Sequence, residues 1–307
     1  MISHVVNSEL RTRLDKYLKR IYPNLPQSII ERGIRKKHIQ VNNNKVKAHT
    51  RVVSGDLLKI YNGFHFFAID DANNTATKKL YSDKIIDLSK DVLGKYLIYE
   101  DQNLIAINKP SGIATQGGSK ISVSIDHAIA YLNSVNDTQY KLVHRLDKDT
   151  SGVLLISKSY ISACKLASAF KSRDITKKYI AVIYGKLQQK YGTVETHNEK
   201  NQKSITHYKT LQHIANNNIH LIEFHPITGR NHQIRLHVLE IGCYILGDRK
   251  YGEHNDYYHD SQMLLHAQKL IIPKQIFEKD QISIIANLPE YFNLEFCNEI
   301  NAKIDKR

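Results

Sequence analysis

A short segment near the middle of the chain, LVHRLDKDTSGVLLISK (142–158), carries the residue types best suited to chemistry. Asp147 lies between the cations Arg145 and Lys148 and precedes a Thr-Ser-Gly turn, after which the sequence becomes β-rich. A carboxylate held in a loop beside cations can stay ionised, which makes Asp147 available for chemistry. The same pattern also fits a plain turn whose Asp and Ser side chains bond their own backbone. The segment alone leaves both interpretations open.

Two other carboxylate sites are disfavoured at this position. Asp147 and Asp149 imitate the first ligands of a calcium loop, but the acid required at the twelfth position of such a loop falls on Lys158. A phosphotransferase pair would follow directly on an apolar strand, and His144 and Arg145 interrupt the run that precedes Asp147.

The sequence also argues against a metal site and against a nucleotide-cofactor fold. His232 and His237 are five residues apart on a predicted helix, which separates them by about 140° around its axis, and Ile234, Val238 and Ile241 form the buried stripe of that helix instead. Neither a Gly-rich dinucleotide motif nor a P-loop occurs. Three widely separated cysteines form neither a disulfide framework nor a zinc cluster. With no apolar run long enough for a secretory signal or a membrane helix, we expect a soluble, cytoplasmic protein.

The elements around Asp147 are mainly short strands. Helical periodicity fits 159–173 and 229–242, and β-rich runs occupy 96–101, 103–109, 152–158, 178–185, 204–211 and 219–227. Several of these runs follow one another without an intervening helix, so the strands need not be parallel. We therefore predict an α+β fold with a mixed, largely antiparallel sheet over residues 93–300.

The positive charge is concentrated at the N-terminus. Of a net charge of +14, residues 1–60 contribute +9, from 13 Lys and Arg against 4 Asp and Glu. Helical spacing followed by a hairpin pattern predicts a small domain over 11–60, and residues 61–92 are polar without sustained periodicity, as in a linker. A basic surface of this kind is typical of a phosphate-backbone contact. We predict RNA contacts for the basic residues of the second helix: Arg32, Arg35, Lys36 and Lys37.

Residues 11–60 resemble a known RNA-binding module. The DKYL sequence, the LPQSIIERGIRKKHIQVNNNKV run and VVSGDLLKI are similar to the S-four domain, which is shared with a ribosomal small-subunit protein. The resemblance implies binding to structured RNA without chemistry.

The larger part of the chain resembles an enzyme family. HRLDKDTSG as a whole is similar to the signature of the RluA-type family of RNA pseudouridine synthases. KKYIAVIYG, HPITGRNHQIRLH, GDRKYG and LLHAQKL match later motifs of the family in order, over residues 93–290. NKPSGIATQGGS also matches, although Gln116 stands where a histidine is frequent. The two domains in this order are most similar to the C branch of the large-subunit ribosomal RNA enzymes, and the D branch has the same layout.

The family resemblance implies a reaction and roles for individual residues. Uridine in 23S ribosomal RNA, or in the precursor large subunit, would be isomerised to pseudouridine after the base is flipped from its stack, without a cofactor. Asp147 would be the essential carboxylate, as a nucleophile or as the base that promotes elimination, with Arg235 as its cationic partner. Tyr179 would stack on uracil and help to shuttle the carbon-5 proton, although its strand pattern alone favours a core tyrosine. Arg145 would fill the gap that the flipped base leaves.

Further RNA contacts and an alternative complete these expectations. Arg230 is a second candidate for the cation beside Asp147 and, with Lys109 of the NKPSG loop, a predicted RNA contact. We expect a monomer that needs no obligatory protein partner and no membrane. The alternative is a non-catalytic, ribosome-associated RNA-binding protein built from the same two domains.

Overall fold

The chain forms two compact units, Met1–Leu80 and Tyr81–Arg307. The computed structural model describes residues 2–8, 10–22, 27–61, 81–118, 121–136, 138–197, 201–214, 218–252, 262–278 and 280–293. No helix among these residues is long and apolar enough to cross a membrane.

The first unit packs two helices on a small antiparallel sheet. Its elements are β1 (Ile2–Val5), β2 (Thr12–Arg13), α1 (Leu14–Ile21), α2 (Gln27–Arg35), β3 (Ile39–Val41), β4 (Asn44–Lys45), β5 (Arg51–Val52) and β6 (Leu57–Ile60). The sheet order is β1-β6-β3-β4, and β2 pairs with β5. Both helices and the hairpin agree with the sequence pattern, because apolar residues at helical spacing, such as Leu14 and Leu18 of α1 and Ile30 and Ile34 of α2, form the core. The unit begins before residue 11, since β1 pairs with β6.

The second unit is built on one large mixed sheet. Its strands are β7 (Leu97–Glu100), β8 (Leu104–Lys109), β9 (Lys141–Leu142), β10 (Ser151–Ser157), β11 (Thr176–Gly185), β12 (Tyr191–His197), β13 (Lys203–Ile214), β14 (Ile219–Pro226), β15 (Cys243–Ile245), β16 (Leu265–Ile272) and β17 (Ile282–Ile285). Its helices are α3 (Asp83–Leu93), α4 (Ile125–Val135), α5 (Tyr160–Ser172) and α6 (Gln233–Glu240), with short 3-10 turns at Lys274–Ile276 and Glu290–Asn293.

The strand order of this sheet brings distant segments together. The main path runs β12-β13-β14-β11-β16-β10-β8-β7, with β15 beside β11, β17 beside β16 and β9 beside β10. Among the described strands, only β10 and β16 pair in parallel, so the predicted α+β class and largely antiparallel sheet are confirmed. The consequence for function is that β11 lies two strands from β10, whose N-terminal end carries the segment of Asp147.

Two predicted boundaries differ from the structure. The last part of the predicted linker (61–92) is helix α3, whose Ile85, Leu88 and Val92 are buried in the second unit; this helical stripe is easily overlooked among the polar residues around it. Residues 62–80 of that segment lie outside the described residues. The helix predicted over 229–242 begins only at Gln233, because His232 adopts a left-handed conformation (φ 51°) and the residues before it form a turn.

A buried network of hydrogen bonds joins β10 to β16 beside the Asp147 segment. The Tyr291 hydroxyl donates to Ser151 Oγ (3.0 Å), which donates to His266 Nδ1 (2.9 Å), and His266 Nε2 donates to the Ala286 carbonyl (3.2 Å). Ser151 and His266 are fully buried. Each donor in this series of three hydrogen bonds has an acceptor. Because Nδ1 accepts and only Nε2 donates, His266 is a neutral imidazole.

His266 should make the fold sensitive to acid. Burial lowers its pKa to about 4, against the opposing effect of the Ala286 carbonyl. The unfolded chain binds this proton near pH 6.5 and the folded chain only near pH 4, so the free energy of unfolding falls as pH falls through that window, by up to about 3 kcal/mol. Urea unfolding at pH 7 and 4.5 should show a smaller decrease for His266→Gln than for wild type. An equal decrease would assign the acid sensitivity to other groups; His207→Gln, at an exposed histidine, is the matched control.

Candidate active site

Asp147 lies in the loop between β9 and β10, where both neighbouring segments hold the backbone. The residue before it, Leu146, is buried, and both of its backbone polar groups bond the Thr115 hydroxyl: the amide donates at 3.1 Å and the carbonyl accepts at 2.7 Å. Ser111 Oγ donates to the Asp149 carbonyl at 2.8 Å. The loop after β8 therefore fixes the backbone on both sides of Asp147, whose side chain remains partly accessible.

Lys109, at the end of β8, is a structural clamp. Its side chain is fully buried, and its ammonium donates to the carbonyls of Pro110 (2.8 Å), Ile113 (2.8 Å) and Lys148 (3.0 Å). Burial lowers the pKa of Lys109 to about 7, while the charges of Asp149 and Asp147 oppose this shift. The prediction that Lys109 binds RNA is therefore wrong, because no part of the side chain is accessible. The NKPSG segment supports the Asp147 loop instead.

Removing the Lys109 ammonium should loosen the loop that carries Asp147. In Lys109→Met, three carbonyls lose the donor that the buried ammonium provides, and an unpaired buried group costs about 1–3 kcal/mol. We expect the free energy of unfolding to fall by at least about 2 kcal/mol. Any activity that depends on Asp147 should fall with it, because the Lys148 carbonyl belongs to the residue after Asp147. Urea unfolding and an activity assay would test this.

The matched control for Lys109→Met is Lys158→Met. Lys158 bonds a partly exposed carboxylate, Glu100, at 2.7 Å, so its loss should change stability by less than about 1 kcal/mol. Equal free energies of unfolding for the two variants would contradict the proposed stabilising role of the Lys109 ammonium.

Arg235 of α6 links two carboxylates. Its Nε and Nη2 donate to the two carboxylate oxygens of Asp248 at 2.7 and 2.6 Å, and its Nη1 lies 3.7 Å from Asp147 Oδ2. Burial alone would lower the pKa of Arg235, but the hydrogen bonds and charge of Asp248 outweigh it and raise that pKa. The guanidinium is thus a permanent cation, oriented by Asp248 and directed at Asp147. The structure thus brings Arg235 and Asp147 together, as the sequence analysis predicted.

Asp248, from the GDRKYG segment, is a site residue that the motif inspection did not single out. It is buried, and its Oδ1 also accepts the backbone amides of Lys250 (3.0 Å) and Tyr251 (3.1 Å). The Tyr251 ring lies under the Arg235 guanidinium, 4.8 Å from its central carbon. The signal available in the sequence was a carboxylate inside a family-matching motif; its partner thirteen residues earlier is visible only in the fold.

His232 also lies beside Asp147. Its Nε2 is 3.9 Å from Asp147 Oδ2, and its Nδ1 is hydrogen-bonded to the Tyr251 hydroxyl at 2.9 Å. Burial lowers the pKa of His232; the charge of Asp147 opposes this and that of Arg235 reinforces it. His232 is therefore neutral at pH 7, and Arg235 is the cation that faces Asp147. His237 points elsewhere and bonds Thr206 (2.9 Å), in agreement with the separation expected from helical spacing.

Tyr179 supplies the flat side chain of the site. It lies on β11 opposite Phe224 of β14 and lines the same cavity as Asp147. Burial, followed by the charge of Asp147, raises the pKa of its hydroxyl. The ring is therefore an uncharged phenol at pH 7, able to offer an apolar face and one hydroxyl.

These residues surround a cavity of about 590 Å³, large enough for a nucleoside. Asp147 is the only carboxylate among its lining residues as described. The cations on its lining are Arg145, Lys171, Arg173, Lys177, Arg230 and Arg235. Such a charge distribution favours a polyanion that presents one neutral ring to the interior. A larger, shallow depression of about 1020 Å³ around Lys274 and Asp280 contains none of these groups.

The other predicted RNA contacts lie on accessible surfaces. Arg145 and Arg230 are exposed at the cavity, Arg230 in the loop before α6, where its amide donates to the Gln233 side chain at 3.0 Å. Arg230 bonds neither Asp147 nor Asp248 in the described contacts, so Arg235 alone is the cation at Asp147. Arg35, Lys36 and Lys37 are exposed on the first unit. The Arg32 side chain lies outside the described residues.

Comparisons with known proteins agree on the two units. A family model described as RNA pseudouridylate synthase matches residues 103–240, and an S4 domain model matches residues 12–58. The chain is 46% identical over 303 residues to the "Ribosomal large subunit pseudouridine synthase C" of Rickettsia bellii (strain RML369-C), covering 94% of this chain and 98% of that protein. It is 30% identical over 322 residues to the protein of the same description from Buchnera aphidicola subsp. Acyrthosiphon pisum (strain APS), covering 97% and 96%. The solved structure titled "Human RNA Pseudouridylate Synthase Domain Containing 4" matches with a TM-score of 0.59 and 25% identity over 69% of this chain and 95% of that chain.

Proposed function

The chain belongs to the RNA pseudouridylate synthase family, and from this premise we propose that it isomerises specific uridines of large-subunit (23S) ribosomal RNA to pseudouridine. The observation that carries the proposal is the meeting of Asp147, Arg235 and Tyr179 in one basic cavity. The C rather than the D branch is favoured, because the curated relatives that share 44–46% of their residues with this chain are described as synthase C.

The reaction exchanges one bond of uridine for another. The bond from uracil N1 to ribose C1′ breaks, the detached base turns, and C1′ bonds carbon 5, whose proton is lost while N1 gains one. Substrate and product are isomers, so the reaction needs no redox partner and no group donor, and we propose that it runs without cofactor. Uracil must leave its stack to reach Asp147, so the cavity receives a flipped nucleotide.

Each residue of the site has a role in this proposal. Tyr179 stacks on the uracil ring, and its hydroxyl, as a phenol, helps to carry the carbon-5 proton. Asp147 reacts as a carboxylate, either by attacking the nucleoside or by promoting elimination at the ribose. Both routes start from the carboxylate, whose Oδ2 lies 3.7 Å from Nη1 of the Arg235 guanidinium. Arg145 at the cavity mouth fills the space that the flipped base leaves in the RNA.

The remaining basic residues bind the RNA that surrounds the target. We assign structured RNA to four basic residues of the first unit, Arg32, Arg35, Lys36 and Lys37, of which the last three are exposed. We assign the strand next to the cavity to Arg230. We assign the catalytic function to the second unit, which includes the predicted range 93–300. We further propose that the protein acts as a monomer in the cytoplasm, on ribosomal RNA or on the precursor large subunit.

The test uses large-subunit ribosomal RNA that lacks the modification. With [5-³H]uridine in the RNA, the purified protein should release tritium, and sequencing should map pseudouridines that disappear when the gene is deleted. If the protein binds this RNA but releases no tritium, the alternative of a non-catalytic, ribosome-associated RNA-binding protein replaces the proposal. The mapped positions also separate the C from the D branch.

A further inference from the structure

Lys177 is a cation that the proposed chemistry does not use. It lies on β11 two residues before Tyr179, so both side chains are on the same face of the strand, with α-carbons about 7 Å apart. Both line the cavity. The Lys177 ammonium lies beside the loop before α6, since its Nζ is 4.0 Å from the point that a β-carbon on Gly229 would occupy.

Lys177 lies in a part of the cavity where positive charge is concentrated. Arg173, at the end of α5, is exposed on the same cavity, and the nearby rings of His144 and His225 both feel the charge of Lys177. Among the described contacts, Lys177 has neither an ion pair nor a hydrogen bond. Burial and then the charge of Arg173 lower its pKa to about 8.

Two other lysines near the cavity differ from Lys177 in having partners for their ammonium groups. Lys178, the next residue, points to the other face and pairs with Glu223 at 3.0 and 3.2 Å. Lys109 is more deeply buried, but three carbonyls accept its protons. A half-buried ammonium without such partners is unfavourable for the free protein, and an anionic ligand would remove the penalty.

We propose that Lys177, with Arg173 beside it, forms a phosphate-binding subsite for the RNA backbone next to the flipped uridine. This inference rests on the proposed function, which puts the uracil ring on Tyr179. A phosphate belongs to every nucleotide of the strand and carries the full charge that the subsite lacks. A uracil carbonyl could accept one hydrogen bond but would leave both cations unneutralised. The subsite thus holds the strand while the base turns.

The first test measures RNA binding as a function of salt. Lys177→Met keeps the length of the side chain and removes its charge. For binding to an unmodified large-subunit ribosomal RNA transcript, the dissociation constant should rise about tenfold, and the slope of log K against log salt should decrease by about 0.7–0.9. Lys177→Arg should restore most of the slope. Lys178→Met is the matched control and should leave the slope unchanged, because Lys178 is already paired.

The second test identifies the contacted group. In an ethylation-interference experiment, an ethylated phosphate that blocks binding of the wild-type protein should cease to do so in Lys177→Met, at one position of the transcript. If Lys177→Met behaves like Lys178→Met in both experiments, the subsite is wrong. If Lys177→Met lowers the melting temperature and turnover without changing the salt slope, Lys177 is structural and the subsite is equally wrong.

Failure of the proposed function gives a different result. In that case the wild-type protein releases no tritium, whereas both binding experiments need no turnover and still decide whether Lys177 contacts a phosphate.

Discussion

Asp147→Asn should abolish pseudouridine formation while RNA affinity is kept. The substitution preserves the shape of the side chain and removes the charge that lies 3.7 Å from Arg235 Nη1. An amide can neither attack the nucleoside nor accept a proton as a carboxylate does, and loss of such a group typically lowers turnover by about 10⁴-fold or more. Affinity should be equal or slightly higher, because a negative charge has been removed from a basic cavity that receives a polyanion.

Three measurements on one preparation check this result: tritium release, the dissociation constant for the ribosomal RNA transcript, and the melting temperature. The matched control is Asp149→Asn, two residues along the loop, whose side chain is exposed and does not line the cavity; it should retain turnover. Parallel loss of activity, affinity and melting temperature in Asp147→Asn would instead identify a structural aspartate in a turn.

Asp248→Asn should damage both the fold and the reaction. Its carboxylate holds the buried Arg235 through two hydrogen bonds and accepts two backbone amides. Removing one partner of a buried ion pair leaves an uncompensated charge and costs about 3–5 kcal/mol. We expect turnover to fall about 100-fold, because the Arg235 side chain is then no longer held in the orientation that faces Asp147.

A double-mutant cycle separates these two effects. Arg235→Met alone and Asp248→Asn alone each leave a partner without its bonds, whereas the double variant removes both charges, so its free energy of unfolding should recover part of the loss. Its turnover should remain as low as that of Arg235→Met. If the two single effects on stability simply add, Asp248 does not act through Arg235.

The sequence predicts this fold well where periodicity is local. The strand that carries Tyr179 and the helices of the first unit follow from apolar spacing, as predicted. The start of α6 is missed because the turn at His232 requires a left-handed residue that is not glycine. The apolar face of α3 is not evident from the sequence because polar residues dominate the segment. In the structure, its Leu88 and Val92 are buried.

Some site residues can likewise be predicted from the sequence, whereas others depend on contacts that only the fold creates. Asp147, Arg235 and Tyr179 lie in separate motifs, and the family resemblance predicts that they meet. The role of Asp248 depends on a contact between α6 and a turn thirteen residues later, which no local pattern specifies. Lys109 shows the opposite error: a cation in a conspicuous motif suggests an RNA contact, whereas its three carbonyl partners become visible only when the loops after β8 and β9 are folded together.

The shared guanidinium has a consequence for the whole reaction cycle. Arg235, Asp147 and Asp248 together carry one net negative charge before the reaction. If Asp147 loses its charge, by bonding the substrate or by taking up a proton, the remaining ion pair of Arg235 and Asp248 is electrically neutral. Arg235 therefore keeps a counter-ion throughout the cycle, and substrate release is not opposed by an unpaired charge on this residue. Asp248 is a permanent counter-ion of Arg235. The charge of Asp147 can therefore be lost and regained during the reaction without leaving a buried guanidinium unpaired.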